Sequence, residues 1–209
     1  MIPKTLLHTL ACCLLLPLAL LASGNAAAQL YAREAPPGSA FIRAYNNSAS
    51  SGVALSIASQ PQPPMAAYSA SPYLFLPAGP AMVTIGGGGR QLNLQAGHYY
   101  TLVGGGSDIA SYELSGGLNR VKSMIAIFNL LPDTTLGMNT VEGAIPVFAG
   151  VAPGTATQRE INPLKLGVRL YEGTTALTDV PPVTLSAGKV FSLFVGGSKA
   201  SPVLVWNED

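Results

Sequence analysis

Apolar and polar residues alternate with a period of two along much of this sequence. From Val53 to Ile57 large aliphatic residues occupy every second position, and the same alternation runs from Leu164 to Leu170. Successive side chains of a β-strand point to opposite faces of a sheet, so this period is typical of strands with one buried face. After residue 28, no segment keeps a period of 3.6 residues over the length of a substantial helix. The pattern therefore predicts an all-β protein.

One phrase of the sequence occurs twice. QLNLQAGHYYTLVGGG in the first half resembles PVTLSAGKVFSLFVGGS in the second half. When the Ala-Gly pair at 96–97 is aligned with the pair at 187–188, Tyr100 coincides with Phe191. The apolar positions on both sides of the pair then coincide as well.

A second phrase repeats upstream of the first. SAFIRAYNN (39–47) resembles SMIAIFNLL (123–131), with Asn46 matching Asn129. The two phrases are offset by 83 and 91 residues, which implies a net insertion of about eight residues in the second copy. Self-similarity over the length of a domain indicates a duplicated module.

Turn-forming residues divide each copy into about seven short strands, which is the pattern of a β-sandwich. We therefore predict two tandem β-sandwich domains related by duplication. The first spans residues 29–115, the second spans 123–209, and a linker at 116–122 joins them.

Clusters of Pro and Gly predict where the strands stop. QPQPP (60–64) and PVFAGVAPGTATQ (146–158) are predicted to be loops. The run from Gly86 to Gly89 is predicted to be the tip of a hairpin, because four glycines weaken a strand. Gly97 and Gly188 are each predicted to form the tight turn of a β-hairpin.

The first 28 residues have the features of a secretory signal peptide. Lys4 gives a positive start, residues 6–21 are apolar, and three alanines ending at Ala28 form a cleavage pattern. The apolar run, about 16 residues long, is shorter than the roughly 20 residues needed to span a membrane. We therefore expect cleavage near Ala28 and a periplasmic mature chain that begins near Gln29.

Removal of the signal peptide changes which cysteines and charged residues remain in the chain. Both cysteines lie in it, at Cys12 and Cys13, so the mature chain has no disulfide framework. Lys4 is its only charged residue, and without it ten basic residues balance ten acidic ones. A chain without excess positive charge lacks the electrostatic footprint of nucleic-acid binding, which excludes that class of partner.

His98 is the only histidine that remains, because His8 lies in the signal segment. A serine hydrolase needs a His beside its nucleophile, but the sequence has no Gly-x-Ser-x-Gly motif. Lys189 takes the place of His98 in the second copy, so we interpret His98 as an exposed turn residue. A zinc site would depend on this single His and scattered carboxylates. We expect no catalytic residue, no metal and no cofactor.

Two charged stretches are candidate contacts for a partner protein. Arg159, Glu160 and Asn162 form a polar stretch ahead of a predicted strand. One interpretation is strand entry, because the residue before a proline is biased toward extended geometry; the other is a charged loop that a partner binds. Tyr31 and Arg33 form the second stretch, ahead of the first predicted strand.

Three segments of the sequence stand out: LYAREAPPGSAFIRAYNNS, REINPLKLGVRLYEG, and PVTLSAGKVFSLFVGGS followed by PVLVW. In order and spacing they resemble the AlgF family of alginate O-acetylation accessory proteins. The resemblance runs from Leu30 to Trp206. It implies a non-catalytic periplasmic protein with two β-sandwich domains. Such proteins work beside a membrane-bound O-acyltransferase and periplasmic acetyltransferases that esterify an exopolysaccharide.

The role expected from this resemblance is that of an adaptor that holds those enzymes together. Alginate is the expected polymer, and acetylated cellulose remains open because similar accessory proteins accompany it. The alternative is a carbohydrate-binding module that grips the polymer through Tyr73, Tyr99, Tyr100 or Tyr112. The alternation of the sequence predicts that one of Tyr99 and Tyr100 is buried.

Overall fold

The computed structural model describes residues 35–114, 119–142 and 145–209, and every regular element within these ranges is a β-strand. The first copy contains β1 (Ser39–Asn46), β2 (Val53–Ile57), β3 (Gln60–Met65), β4 (Leu74–Pro77), β5 (Gly79–Ile85), β6 (Gly88–Leu94), β7 (Tyr99–Gly104) and β8 (Ala110–Leu114). The second copy contains β9 (Ser123–Asn129), β10 (Leu136–Thr140), β11 (Pro146–Val151), β12 (Thr155–Ile161), β13 (Lys165–Glu172), β14 (Thr175–Thr184), β15 (Val190–Ser198) and β16 (Ser201–Glu208). Each copy thus has one strand more than the seven or so predicted.

Each copy is a sandwich of two four-stranded sheets. One sheet of each copy faces the other copy and is called the inner sheet; the second sheet faces away and is called the outer sheet. The inner sheets have the orders β4-β1-β7-β8 and β12-β9-β15-β16, and the outer sheets have the orders β3-β2-β5-β6 and β11-β10-β13-β14. Adding eight to each strand number of the first copy reproduces both sheets of the second copy. The predicted pair of duplicated β-sandwiches is therefore confirmed. The boundaries at 115 and 123 stay predictions, because residues 115–118 lie outside the described ranges.

Strand register confirms the alignment of the two repeated phrases. The central strands of each inner sheet are parallel, and Phe41 lies beside Tyr99 in the first copy. Met124 lies beside Val190 in the second copy. These pairs are related by the offsets of 83 and 91 residues that the repeated phrases predict.

The two Ala-Gly turns differ from the prediction in one respect. Gly97 and Gly188 have φ values of +77° and +72°, a left-handed conformation that glycine adopts without steric cost. However, β6 and β7 lie in opposite sheets of the first sandwich, as do β14 and β15 in the second. The hairpin prediction is therefore wrong, because each glycine turns the chain from the outer sheet to the inner sheet.

Two predicted loops are edge strands. QPQPP forms most of β3, which pairs only with β2. Proline lacks a backbone N–H, and an edge strand tolerates it where that group would face solvent. The segment 146–158 contains β11 and most of β12, which are the edges of the two sheets of the second sandwich. By contrast, the hairpin predicted at Gly86 to Gly89 is present, since β5 and β6 pair antiparallel, but its tip is only Gly86 and Gly87 because Gly88 and Gly89 pair within β6.

A repeated asparagine stabilises the same loop in both copies. Asn46 is fully buried, and its Nδ2 donates hydrogen bonds of 2.8 Å to the carbonyl oxygens of Ser50 and Ala66. Asn129, also fully buried, donates an equivalent pair of 2.6 and 2.9 Å. Buried amides need such partners, so the match seen in sequence has a structural cause.

An apolar cluster joins the two inner sheets. Tyr45 and Val103 of the first copy pack with Phe128 and Phe194 of the second. Each inner sheet therefore has its own sandwich core on one face and the other copy on the opposite face, which gives four stacked layers. All seven residues of β9 are buried, and this explains why its central residues MIAIF are continuously apolar instead of alternating.

Candidate functional site

The junction between the inner sheets is organised around one buried guanidinium group. Arg43 of β1 has no exposed surface. Its Nε donates to Thr101 Oγ1 at 3.1 Å and its Nη2 donates to Ser192 Oγ at 2.7 Å. Its Nη1 forms an ion pair with Asp209 Oδ2 at 2.5 Å. One side chain of the first copy therefore binds two residues of the second.

Aromatic rings surround the same group. The guanidinium carbon lies 4.4 Å from the ring centroid of Tyr73, 5.2 Å from that of Phe194 and 5.8 Å from that of Phe128. A cation near the face of an aromatic ring is attracted by the ring's quadrupole. Together with the three hydrogen bonds, these rings compensate for the removal of the charge from water.

Burial controls the acidity of the groups around Arg43. It raises the pKa of Asp209, and the attraction of Arg43 lowers it by less. Burial likewise raises the pKa of Tyr73 by more than the charge of Arg43 lowers it. The ion pair is thus enclosed in a poorly solvated region, where a charge without a partner is costly.

A stack of rings extends the junction away from Arg43. Tyr45 lies on Phe194 with centroids 3.9 Å apart, and Phe128 lies on Phe194 at 4.6 Å. Tyr112 meets Phe128 edge to face at 5.5 Å. Burial raises the pKa of Tyr45. Such pairs add to the free energy of area burial, by about 0.5–1.5 kcal/mol each, and the two phenylalanines of the second copy lie between the two tyrosines of the first.

His98 lies in the turn ahead of β7, as the sequence predicts. Its Nδ1 lies 2.5 Å from Glu113 Oε1 on β8. In the second copy Lys189 Nζ lies 3.9 Å from Glu208 Oε1. Strand register makes these two pairs equivalent, because Glu113 is opposite Tyr100 and Glu208 is opposite Phe191. The His98 pair is one copy of a repeated contact between a basic side chain and a carboxylate.

The stretch that contains Arg159 is not a loop. Arg159 and Glu160 lie in β12, so that part of the prediction is wrong, and both are exposed. Arg159 Nη1 donates to the carbonyl of Val147 in β11 at 2.8 Å, which ties the edges of the two sheets together. Asn162 follows the strand and accepts a hydrogen bond of 2.5 Å from Lys122. Binding of a partner by these residues stays a prediction.

Tyr31 and Arg33 lie outside the described residues. Three of the tyrosines considered for sugar binding are engaged inside the protein: Tyr100 is 3% exposed, Tyr73 lies over Arg43, and Tyr99 stacks on Phe41. The prediction that one of Tyr99 and Tyr100 is buried is confirmed.

An open cleft of about 520 Å³ lies between the copies. Asn47, Gly105 and Asp108 line it from the first copy, and Pro132 and Gly154 line it from the second. In the part of the chain that the structure describes, no three His, Cys, Asp or Glu side chains lie together as metal ligands would. Over the same ranges, no helix has the length and apolar character that crossing a membrane requires.

Comparison with known proteins identifies the family. A family model described as Alginate O-acetyl transferase AlgF matches residues 13–192. The alginate biosynthesis protein AlgF of Pseudomonas aeruginosa is 34% identical over 210 residues, covering 98% of this chain and 95% of that protein. The protein of the same name from Pseudomonas fluorescens is 35% identical over 205 residues, covering 98% and 94%. The chain belongs to the AlgF family.

A solved structure of the C-terminal domain of AlgF from P. aeruginosa is also similar to this chain. It is 33% identical with a TM-score of 0.38, and the match covers 43% of this chain and 99% of that domain. The family model and the relatives of the same name confirm the resemblance carried by the three segments of the sequence.

Sequence reasoning did not single out Arg43, although it lies in the first segment that resembles AlgF. A signal was present in the repeat. The aligned phrases place Arg43 opposite Ala126 and Thr101 opposite Ser192. A charged residue within an otherwise apolar strand, at a position where the other copy has alanine, indicates a contact that only one of the two copies provides. Here that contact is the one between Arg43 and the second copy.

Proposed function

We propose that this member of the AlgF family is a non-catalytic periplasmic accessory protein for the O-acetylation of alginate. It holds the periplasmic acetyltransferases and the membrane-bound O-acyltransferase of the machinery near one another. The names of its relatives, which place them in alginate biosynthesis, support the polymer.

The observation that carries the proposal is the junction at Arg43. Because Arg43 of one copy binds Ser192 and Asp209 of the other, the two sandwiches form one compact unit. Their outer sheets then face away from each other and are available to different partners. Holding two partners on one body raises the effective concentration of each near the other.

The repeated contact of His98 and Lys189 with a carboxylate supports a role without catalysis. A general base must be a particular titratable group placed beside its substrate. Lys189 fills the position of His98 in the second copy with the same kind of carboxylate partner. The contact therefore has a structural explanation in both copies.

The test combines acetylation in cells with assays of the purified chain. We expect a strain without this chain to make alginate with much less acetyl, and re-expression to restore it. We expect the mature chain to co-purify with the acetyltransferase and to neither transfer nor hydrolyse acetyl groups alone. Acetyl turnover that is lost in His98→Ala would overturn the proposal. Saturable binding of alginate oligomers without any protein partner would favour a carbohydrate-binding module instead.

A further inference from the structure

The last strand, β16, presents a free row of backbone hydrogen-bonding groups. It is an edge strand that pairs with β15 in unbroken antiparallel register over its whole length. Just beyond it, Val190 and Asp209 exchange both of their backbone hydrogen bonds. In an antiparallel pair the bonded positions alternate, so Val203, Val205 and Asn207 bond to β15. Leu204, Trp206 and Glu208 direct their N–H and C=O groups away from it.

Those outward groups make no hydrogen bond to the rest of the described chain. Pro202 occupies an outward position, where its missing N–H removes no bond of the sheet. The alternation of hydrogen-bonded positions and the place of Pro202 thus both indicate that this edge of β16 is open.

The side chains of β16 are unusually apolar for an edge. From Pro202 to Trp206 the strand carries no charge, and its residues are half-buried. Leu204 and Trp206 pack against the core of the second sandwich, while Val205 packs toward the junction. Proteins normally protect an open edge with charge, proline or a bulge.

Other edges of the protein carry more of that protection than β16, which has Pro202 and Glu208 only near its ends. β3 contains three prolines, and β14 contains Pro181 and Pro182 together with irregular register. β8, the counterpart of β16 in the first copy, is shorter and has Ser111 at the position of Trp206. The fold therefore does not require apolar side chains along this edge strand.

We propose that β16 is a strand-addition site, at which an extended segment of a partner protein extends the inner sheet of the second copy. This inference rests on the proposed adaptor function and names the surface through which the adaptor binds a partner. The segment pairs with the backbone of Leu204, Trp206 and Glu208. Because β16 is apolar on both faces, the segment is uncharged and apolar on both faces over about five residues, the usual length of a strand.

The edge favours a different protein over a second copy of this chain. Antiparallel pairing of two β16 strands about their centres would place Pro202 of each copy opposite Glu208 of the other. Because proline has no backbone N–H, one hydrogen bond would be missing at each end of that pair.

Amide hydrogen exchange tests the proposal on the mature chain, alone and with the purified periplasmic alginate acetyltransferase of the same organism. In the free protein the amides of Leu204, Trp206 and Glu208 exchange quickly, and those of Val203 and Val205 exchange slowly. In the complex the three outward amides become at least about tenfold slower, whereas the inward ones change little. A complex that leaves the outward amides fast overturns the site but keeps the adaptor function.

A matched pair of variants gives a second readout. Leu204→Pro removes an outward N–H and places a ring in the path of the added strand, while Leu204→Ala removes the same side chain and keeps the N–H. We expect Leu204→Pro to bind the acetyltransferase at least about tenfold more weakly than Leu204→Ala. Equal binding by the two folded variants overturns the site. No binding by the unmodified chain overturns the adaptor function and the site with it. A dimer in solution that is protected at the same amides overturns the site alone.

Discussion

Arg43 and Asp209 form an ion pair between the two copies, with Nη1 and Oδ2 2.5 Å apart at the centre of the four-layered fold. The arginine side chain is fully buried, and the aspartate side chain is 15% exposed. These residues are separated by 166 positions in the sequence. The first strand of the fold and the last residue of the sequence are thus joined by one contact.

Removal of either member of this pair is expected to destabilise the protein strongly. Arg43→Met leaves the carboxylate of Asp209 buried without its partner, and Asp209→Asn leaves the guanidinium group in the same state. Each variant should lower the free energy of unfolding by about 3–5 kcal/mol. Urea denaturation measures this change.

The double variant Arg43→Met, Asp209→Asn should lose less than the sum of the single changes, because no uncompensated charge remains. Arg169→Met is the matched control, since it breaks the exposed pair of Arg169 with Asp179 on the outer sheet. Exposed pairs contribute little, so this variant should change stability far less. Equal losses in Arg43→Met and Arg169→Met would contradict the importance of the junction.

The carboxyl group of Asp209 is expected to titrate above its ordinary range. Burial raises its pKa more than Arg43 lowers it. The folded protein therefore takes up this proton before the unfolded chain does as the pH falls. The destabilisation from the buried charge is present at neutral pH and is relieved as the pH falls through the folded pKa.

Carboxyl ¹³C NMR titration measures this pKa directly. In Arg43→Met the pKa of Asp209 should rise further, because the attraction and hydrogen bond that lower it are lost. A midpoint below the ordinary range of an aspartate would show that burial does not dominate at this site, and a midpoint unchanged by the substitution would show that Arg43 does not lower the pKa.

The sequence predicted the duplicated fold because each copy repeats both local pattern and chemistry. Alternation marked strands such as β2 and β13, and the match of Asn46 with Asn129 helped to align the two copies. The predicted hairpins at Gly97 and Gly188 were wrong for a physical reason. A tight turn has the same glycine signature whether the next strand pairs with the previous one or crosses to the other sheet.

Sequence reasoning also missed the junction, since it depends on packing between distant segments. Asp209 and Arg43 lie in segments that are far apart in the sequence and share no pattern that would link them. The continuous apolar run of β9 was the available sign that both faces of the inner sheet are buried. Similarly, the proline cluster of β3 was predicted to be a loop because edge position is a property of the sheet.

Replacing His98 with lysine is expected to preserve both fold and function. Lys189 already pairs with a carboxylate at the equivalent position of the second copy. His98→Lys should therefore change the free energy of unfolding by no more than about 0.5 kcal/mol, as for most surface substitutions. Acetylation of alginate in cells should be retained. A folded His98→Lys protein that fails to support acetylation would assign the imidazole a role beyond this contact.

Two nearby glycines at the end of β7 should respond differently to alanine. A Cβ at Gly104 would lie 2.7 Å from Cγ2 and 2.8 Å from Cβ of Ile85, which is fully buried. The Cβ of an isoleucine moves only with its backbone, so Gly104→Ala should overpack the first sandwich and cost about 1–3 kcal/mol. At Gly106 a Cβ would meet no atom within 4 Å, so Gly106→Ala should change stability by no more than about 0.5 kcal/mol. Register places Val195 at the position of Gly104 in the second copy, so the constraint comes from Ile85 and not from the strand itself. Urea denaturation of the two variants tests this, and equal stabilities would contradict the close approach of β7 to Ile85.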